Sequence, residues 1–246
     1  MINIKTLFIS DVHLGTSKCN AKLLLEVLKE YDMKELVIVG DFIDLTALKK
    51  KFYWKSEFST VIQKILRLSR KGVKVTYILG NHDFYLRGLI EESNLCIGEI
   101  ELCDEYLYTT SNGEKIYICH GDQFDGFIRL HPFLYRLGDT AYEFSFKINK
   151  VYNFFRKKVF GMQEWSLSSF LKSKVKGAIS FINDFKILAE KTAIDKKTNA
   201  IMIGHIHTPA IEKMGSVTYY NTGDFCESCS FLIETNDGDI KLLYKK

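Results

Sequence analysis

Proline is nearly missing from this chain, at two residues in 246, and tryptophan is equally scarce. No Gly/Ser-rich or low-complexity stretch takes its place, which excludes an extended or disordered architecture. No window approaches the ~18 consecutive apolar residues of a membrane span. The segment from Met1 to Ser10 also lacks a basic region leading into a long apolar run. A cytoplasmic protein is expected, peripheral to a membrane at most. Disulfide spacing is absent as well: Cys19, Cys96, Cys103, Cys119, Cys226 and Cys229 follow no regular pattern. Cys226 and Cys229 form a C-x-x-C pair, but a structural zinc needs a second ligand pair and the other cysteines are isolated, so reduced thiols are expected. A strong surplus of one charge is lacking too, with 34 Lys and Arg against 30 Asp and Glu. That argues against a long nucleic-acid track, which would neutralise many phosphates, and no nucleic-acid partner is expected.

What remains is a chain of 46% hydrophobic content, long enough for one large core with an embellishment. Over the first 83 residues short β-rich runs alternate with helical patterns. Strands are expected at Ile4 to Ser10, Glu35 to Gly40 and Val73 to Gly80, and helices at Ala21 to Tyr31 and Tyr53 to Arg70. This β-α-β-α-β order implies a largely parallel sheet, whose ligands gather at the carboxyl ends of the strands. A β region around Gly98 to Thr109 follows, then an Asn112-Gly113 turn and a strand from Lys115. β signals return at Ala200 to Gly204, Val217 to Asn221, Ser230 to Thr235 and Asp239 to Tyr244.

Between the two β regions, strand signals stop. Leu167, Leu171, Val175, Ala178, Ile182, Phe185 and Ala189 recur at helical spacing. Residues 121 to 190 hold 11 Lys and Arg against 7 Asp and Glu, while the rest of the chain balances at 23 against 23. The whole net charge therefore sits in this stretch, beside close to half of the aromatic residues. The chain is thus read as one domain over 1–246 with a helical lid inserted at 124–191. A greasy, basic lid suits an amphipathic anionic ligand or a lipid surface, and an ordinary helical bundle with solvated lysines is the alternative.

The chemistry lies at the strand ends. Asp11-Val12-His13, Gly40-Asp41 with Asp44, Gly80-Asn81-His82-Asp83, His120-Gly121-Asp122 and Gly204-His205-Ile206-His207 each follow a predicted strand. Five of the six histidines fall in these clusters, His131 being the exception. Convergent imidazole, carboxylate and amide groups without thiolate suit Mn²⁺, Fe²⁺ or Zn²⁺. The candidate ligands are too many for one ion and about right for two sharing a bridging carboxylate.

In order, these motifs resemble those of the calcineurin-like metallophosphoesterase superfamily. The resemblance implies an α/β fold, a β-sandwich in αββα layers with the insert as a lid. It implies that Asp11, His13, Asp41 and His207 hold one metal and that Asp41, Asn81, His120 and His205 hold the other, with Mn²⁺ the expected ion and Fe or Zn the alternatives. His82 is then the catalytic histidine and Asp44 the carboxylate that orients it, while a helix-capping role is the other reading of Asp44. Asp83 and Asp122 are expected to support the loops.

Further segments look like the UDP-2,3-diacylglucosamine pyrophosphatase family over nearly the whole chain: His120 to Asp125, Leu137 to Tyr142, Trp165 to Ser169, Lys174 to Lys176, Tyr219 to Asp224 and Glu227 to Cys229. That resemblance implies cleavage of a nucleotide-sugar-lipid pyrophosphate into UMP and 2,3-diacylglucosamine 1-phosphate, a step of lipid A synthesis, with peripheral contact at the cytoplasmic face of the inner membrane. Asn81, His82, Asp125, Lys176 and His205 are the expected substrate contacts. One position departs: the best-known branch has Arg where His82 stands. Action on soluble nucleotides, as a phosphodiesterase or phosphatase, is the second reading.

Overall fold

The computed structural model describes residues 1–88, 96–125 and 167–246, with the side chains of 96–97 and 167–180 left out. Most of the expected insert, from 126 to 166, lies outside the described residues. The Cα positions gather into two compact units: Met1–Gln123 with Leu188–Lys246, and Phe124–Ile187.

The first unit is built on strand β1 (Ile2–Ile9), helix α1 (Ala21–Glu30), β2 (Tyr31–Val39), the short helix α2 (Leu45–Lys50), helix α3 (Ser56–Arg70) and β3 (Lys74–Ile78). After β4 (Cys96–Ile97), β5 (Ile100–Cys103), β6 (Glu105–Thr109) and β7 (Lys115–Cys119) comes helix α4 (Leu167–Asp195). The chain ends with β8 (Ala200–Ile203), β9 (Ala210–Met214), β10 (Val217–Asn221), β11 (Ser230–Glu234) and β12 (Ile240–Tyr244). Among the described residues one sheet runs β12-β11-β1-β2-β3-β5-β4 and the other β6-β7-β8-β10-β9. In the first, β1, β2, β3 and β5 are parallel neighbours, with antiparallel strands at its edges.

The period-2 geometry of a strand explains the layering. Leu7, Ile9, Leu36, Ile38, Val75 and Tyr77 face a core shared with Leu24, Leu28, Phe58, Val61 and Ile65 of α1 and α3. Their neighbours Phe8, Val37, Val39 and Ile78 face the other way, onto Tyr108, Ile116, Ile118, Met202 and Tyr220 of the second sheet. Both faces of the central strands are therefore apolar, as a parallel sheet covered on both sides requires. On the outer side of the second sheet, Ala189 and Ala193 in the last turns of α4 are buried. Just beyond them Lys196 pairs with Glu105 at 2.7 Å and lies over the ring of Tyr117. The result is an αββα sandwich. In the second unit the Phe124 and Phe185 rings meet edge to face at 5.2 Å, while most of the apolar stripe expected on α4 falls on side chains outside the described residues.

Four local features differ from the sequence reading. The β region around Gly98 to Thr109 is two strands in different sheets, because the chain crosses over at Asp104. The helix expected from Tyr53 begins at Ser56, since Lys51 and Lys55 are extended. Helix α2 and strand β9 were not foreseen: α2 is six residues long, and β9 is mostly exposed, so neither carries a burial period.

Phe8 is fully buried between the sheets and meets the Tyr108 ring edge to face at 5.3 Å. Phe8→Ala is expected to cost about 3–5 kcal/mol of stability, read from urea denaturation midpoints. A loss under ~1 kcal/mol would mean that this layer does not hold the sheets together.

Candidate metal centre

Five chain segments leave the carboxyl ends of β1, β2, β3, β7 and β8, and β1–β3 are hydrogen-bonded neighbours, as are β7 and β8. The loops continue the pairing beyond the strands: Asp11 N–H donates to Gly40 O, His13 N–H to Asp41 O and Asp44 N–H to Leu14 O. Residues at consecutive strand ends are thereby brought to one place.

The backbone there is unusual. Asp11, His13, Asp41, His205 and His207 all have φ between 49° and 63°, in the left-handed region. Among the described non-glycine residues only Lys197 and Cys229 share it. Such residues cost on the order of 1 kcal/mol each and persist only where the surroundings over-determine them. Close approach is also enforced at glycines that precede candidate ligands, Gly40 and Gly204 among them. A Cβ on Gly40 would lie 2.1 Å from His120 Nδ1, and one on Gly204 would lie 2.4 Å from Asp11 Oδ2. Only a residue without a side chain fits at either.

Three sets of side chains converge closely enough to hold an ion: Asp11 with His13 and His207; Asp41 with His120 and His205; and His13 with Asp41 and His82. Asp41 occurs in two of the sets, as a bridging carboxylate would. His82 joins one of them, so proximity alone does not separate it from the ligands. Asn81 is exposed at the end of β3, between Gly80 and His82.

The ring nitrogens are presented in a defined way. His120 Nδ1 lies 2.9 Å from Val39 O, which fixes Nδ1 as the donor and leaves the Nε2 lone pair turned inward, 3.3 Å from Asp41 Oδ2. His13 Nδ1 lies 3.1 Å from Asp44 Oδ2, and its Nε2 stands 3.9 Å from both Asp11 Oδ1 and Asp41 Oδ2. His207 Nε2 is 3.2 Å from Asp11 Oδ1, with Asp224 behind its Nδ1 at 3.9 Å. Asp11 Oδ1, His13 Nε2 and His120 Nε2 are buried without a hydrogen-bond partner. Orphaned polar atoms aimed at one space are what a cation would satisfy, so the residues fit divalent metals.

Electrostatics agree. Burial alone would raise Asp41, yet the charge of His120 and the other imidazoles holds its carboxyl well below the usual range. Asp11 is lowered in the same way by His207 and His120 against its burial. Burial would push His120 down, but Asp41 beside it brings the ring up to about 10. Asp44 stays low through His13 and His82 despite its own burial.

Asp44 does more than orient one histidine. Its Oδ1 lies 2.9 Å from His82 Nδ1 and accepts from Ala47 N–H at 2.7 Å, capping α2, while Oδ2 faces His13. The expected cap is present, and the same carboxylate lies against two histidines. Asp83 is buried, accepts from the N–H groups of Phe42, Ile43 and Gly80, and so ties the β2 loop to the β3 loop. Burial and the charge of Asp41 push it up to about 6. Asp125 is half-buried in the second unit, and Lys176 is on α4 with its side chain outside the described residues.

Cysteine has no part in the ion-sized clusters among the described residues. Cys226 and Cys229 are free thiols, and Cys229 accepts from Asn20 at 3.4 Å.

Sequence reasoning missed Arg87. Its Nη2 donates to Leu79 O at 3.1 Å and to Asp122 Oδ2 at 3.1 Å, while Nε donates to Asp104 at 2.8 Å. One guanidinium thus joins the strand end that leads to Asn81 and His82 with the loop that follows His120. Nothing near Arg87 in sequence signals this, because its partners lie 17 and 35 residues away.

The profile of the calcineurin-like phosphoesterase family matches residues 4–209, most of the chain. The chain belongs to that family. A calcineurin-like phosphoesterase is a hydrolase. Curated relatives include the UDP-2,3-diacylglucosamine hydrolase of Histophilus somni strain 129Pt, 26% identical over 219 residues, covering 85% of this chain and 77% of the relative. The enzyme of that name from Neisseria meningitidis serogroup B is 33% identical over 120 residues, 47% of each chain. Among solved structures, a hypothetical protein of Pyrococcus horikoshii is 12% identical with TM-score 0.49, covering all of this chain and 88% of that one. A likeness at that level adds nothing to the functional argument.

Arg87→Ala should reduce turnover of a soluble phosphodiester by about tenfold or more, the usual cost of a residue that orients metal-binding loops. The decrease should fall on kcat or on the Mn²⁺ requirement rather than on KM. A change below about twofold in all three would show that the guanidinium does not position the centre.

Proposed function

We propose that this calcineurin-like phosphoesterase hydrolyses UDP-2,3-diacylglucosamine to UMP and 2,3-diacylglucosamine 1-phosphate. The observation that carries the reading is the match to a curated relative of that name over 85% of this chain, supported by ion-sized clusters of Asp and His at the strand ends. Water adds across the pyrophosphate, one P–O bond forms and one bridging P–O bond breaks.

In this reading Asp11, His13, Asp41 and His207 hold one ion, and Asp41, Asn81, His120 and His205 the other, most fittingly Mn²⁺. Bound divalent cations supply Lewis acidity, acidifying water and offsetting charge on the phosphoryl oxygens. The chain's own groups do the rest. His82 Nδ1 stands 2.9 Å from Asp44 Oδ1 at ion-pair distance, and its Nε2 lies 4.0 Å from Asp41 Oδ2. Burial would lower this imidazole, but Asp44 and Asp41 raise it, which favours a ring that carries a proton for the phosphoryl or leaving oxygen. In this reading Asn81 and His205 would contact the phosphoryl group, and Asp125 and Lys176 would meet the remainder of the substrate. The insert at 124–191 would act as a lid over the acyl chains, on an enzyme at the cytoplasmic face of the inner membrane.

A second reading, hydrolysis of soluble nucleotide esters, is favoured by one observation: a histidine at position 82, where the best-known branch of the lipid enzymes has arginine. Incubation with UDP-2,3-diacylglucosamine in detergent should release UMP. Absence of UMP alongside good turnover of a dinucleoside polyphosphate would decide for the second reading.

Two further outcomes test the site itself. Protein equilibrated with excess Mn²⁺ should carry about two ions per chain; a single ion would remove the bridging role of Asp41. His82→Ala should lower kcat by about 10²–10³ while metal content stays constant, and an unchanged kcat would remove His82 from the chemistry.

A further inference from the structure

Two short segments start within two residues of the catalytic pair and carry the same kind of surface. Helix α2 begins at the residue after Asp44 and ends in Lys49 and Lys50, followed by Lys51 and Phe52. A single 3₁₀ turn, Phe84–Leu86, begins two residues after His82. Lys49, Lys50 and Lys51 are exposed, Phe52 is 77% exposed, and Phe84 and Tyr85 are 58% and 51% exposed. The segments touch: Lys49 Nζ donates to Tyr85 Oη at 3.2 Å and lies 4.9 Å from the centre of its ring. From Leu45 to Lys55 the chain has no acidic residue. The described acids that adjoin the two segments in sequence are turned away from solvent: Asp44 is buried against His13 and His82, and Asp83 is buried on backbone N–H groups. Arg87, which follows the 3₁₀ turn, is already paired with Asp104 and Asp122.

Large aromatic residues left exposed beside lysines that have no acidic partner among the described residues are poor surface for a protein that meets only water. A second copy of this chain would set lysine against lysine. The combination fits an anionic bilayer surface, with aromatic side chains at headgroup depth and ammonium groups on lipid phosphates. No helix among the described residues is long and apolar enough to cross a membrane. We propose that the rim formed by Lys49, Lys50, Lys51, Phe52, Phe84 and Tyr85 docks the enzyme on an anionic phospholipid surface, with the metal centre opening beside it. This deepens the proposed function and rests on the substrate being lipid-borne.

The test is co-sedimentation of the full chain with phosphatidylcholine vesicles, with and without phosphatidylglycerol, in the absence of any substrate. The expected result is binding to the anionic vesicles alone, weakening as salt is raised. Lys50→Glu/Lys51→Glu/Phe52→Ser should weaken that binding by about tenfold or more, and Lys50→Gln/Lys51→Gln by less. Both should keep the turnover of a soluble phosphodiester, which reports an intact fold and centre. The proposal is overturned if the wild type ignores anionic vesicles at low salt, if it binds phosphatidylcholine equally well, or if the charge-reversed variant binds like the wild type. The outcomes separate from those for the substrate. Vesicle binding without hydrolysis of UDP-2,3-diacylglucosamine would leave the surface and remove the substrate. Hydrolysis in detergent without vesicle binding would do the reverse.

Discussion

The carboxylate of Asp41 is 2% exposed at the end of a buried strand, and a charge in that position is tenable only with opposite charge packed against it. Most of the surrounding arrangement follows from that requirement. His120, itself buried, brings Nε2 to 3.3 Å; His13 and His82 approach at 3.9 and 4.0 Å; and His82 N–H donates to the other carboxylate oxygen. Removing a neighbour would leave an unpaired buried charge, so the five strand ends cannot be repositioned independently. The sandwich supplies the rigidity this needs. Its central strands are apolar on both faces, which fixes their register, and a slip of one residue would exchange the helix-facing and sheet-facing sets.

Strain and burial at the centre have the same origin. Five candidate ligands sit at positive φ because each side chain must leave a strand end and turn inward within one or two residues. That geometry is offset by the hydrogen bonds that extend β1 and β2 beyond their regular pairing, and by glycines that admit His120 and Asp11 at short range. The orphaned atoms Asp11 Oδ1, His13 Nε2 and His120 Nε2 mark where the polypeptide stops satisfying itself. Ligand binding and folding stability are therefore linked, because anything that satisfies these atoms in the folded state alone stabilises it.

Much of this was legible from the chain. Asp11, His13, Asp41, His120, His205 and His207 could be found because each lies directly after a β-rich run, and a strand end points its side chains in a limited set of directions. Asp44 was legible as a partner of His82 but not of His13, since nothing local relates residues 13 and 44. Arg87 and the approach of Asp224 to His207 could not be read at all: both act between segments distant in sequence and belong to no periodic pattern. The crossing between sheets at Asp104 was hidden for a related reason. One continuous β signal spans it, and alternation does not say which sheet a strand joins.

Helix α2 shows most directly how the outer surface and the chemistry are joined. Six residues would not hold a helix alone, since nucleation is costly and propagation too short to repay it. What holds it is its cap, and the cap is Asp44. Oδ1 of that carboxylate serves both the Ala47 N–H and Nδ1 of His82, while Oδ2 serves Nδ1 of His13. A shift of the helix start by even a fraction of an ångström changes the carboxylate that orients both imidazoles. The placement of the exposed lysines on α2 and that of the His82 ring thus share one residue, Asp44.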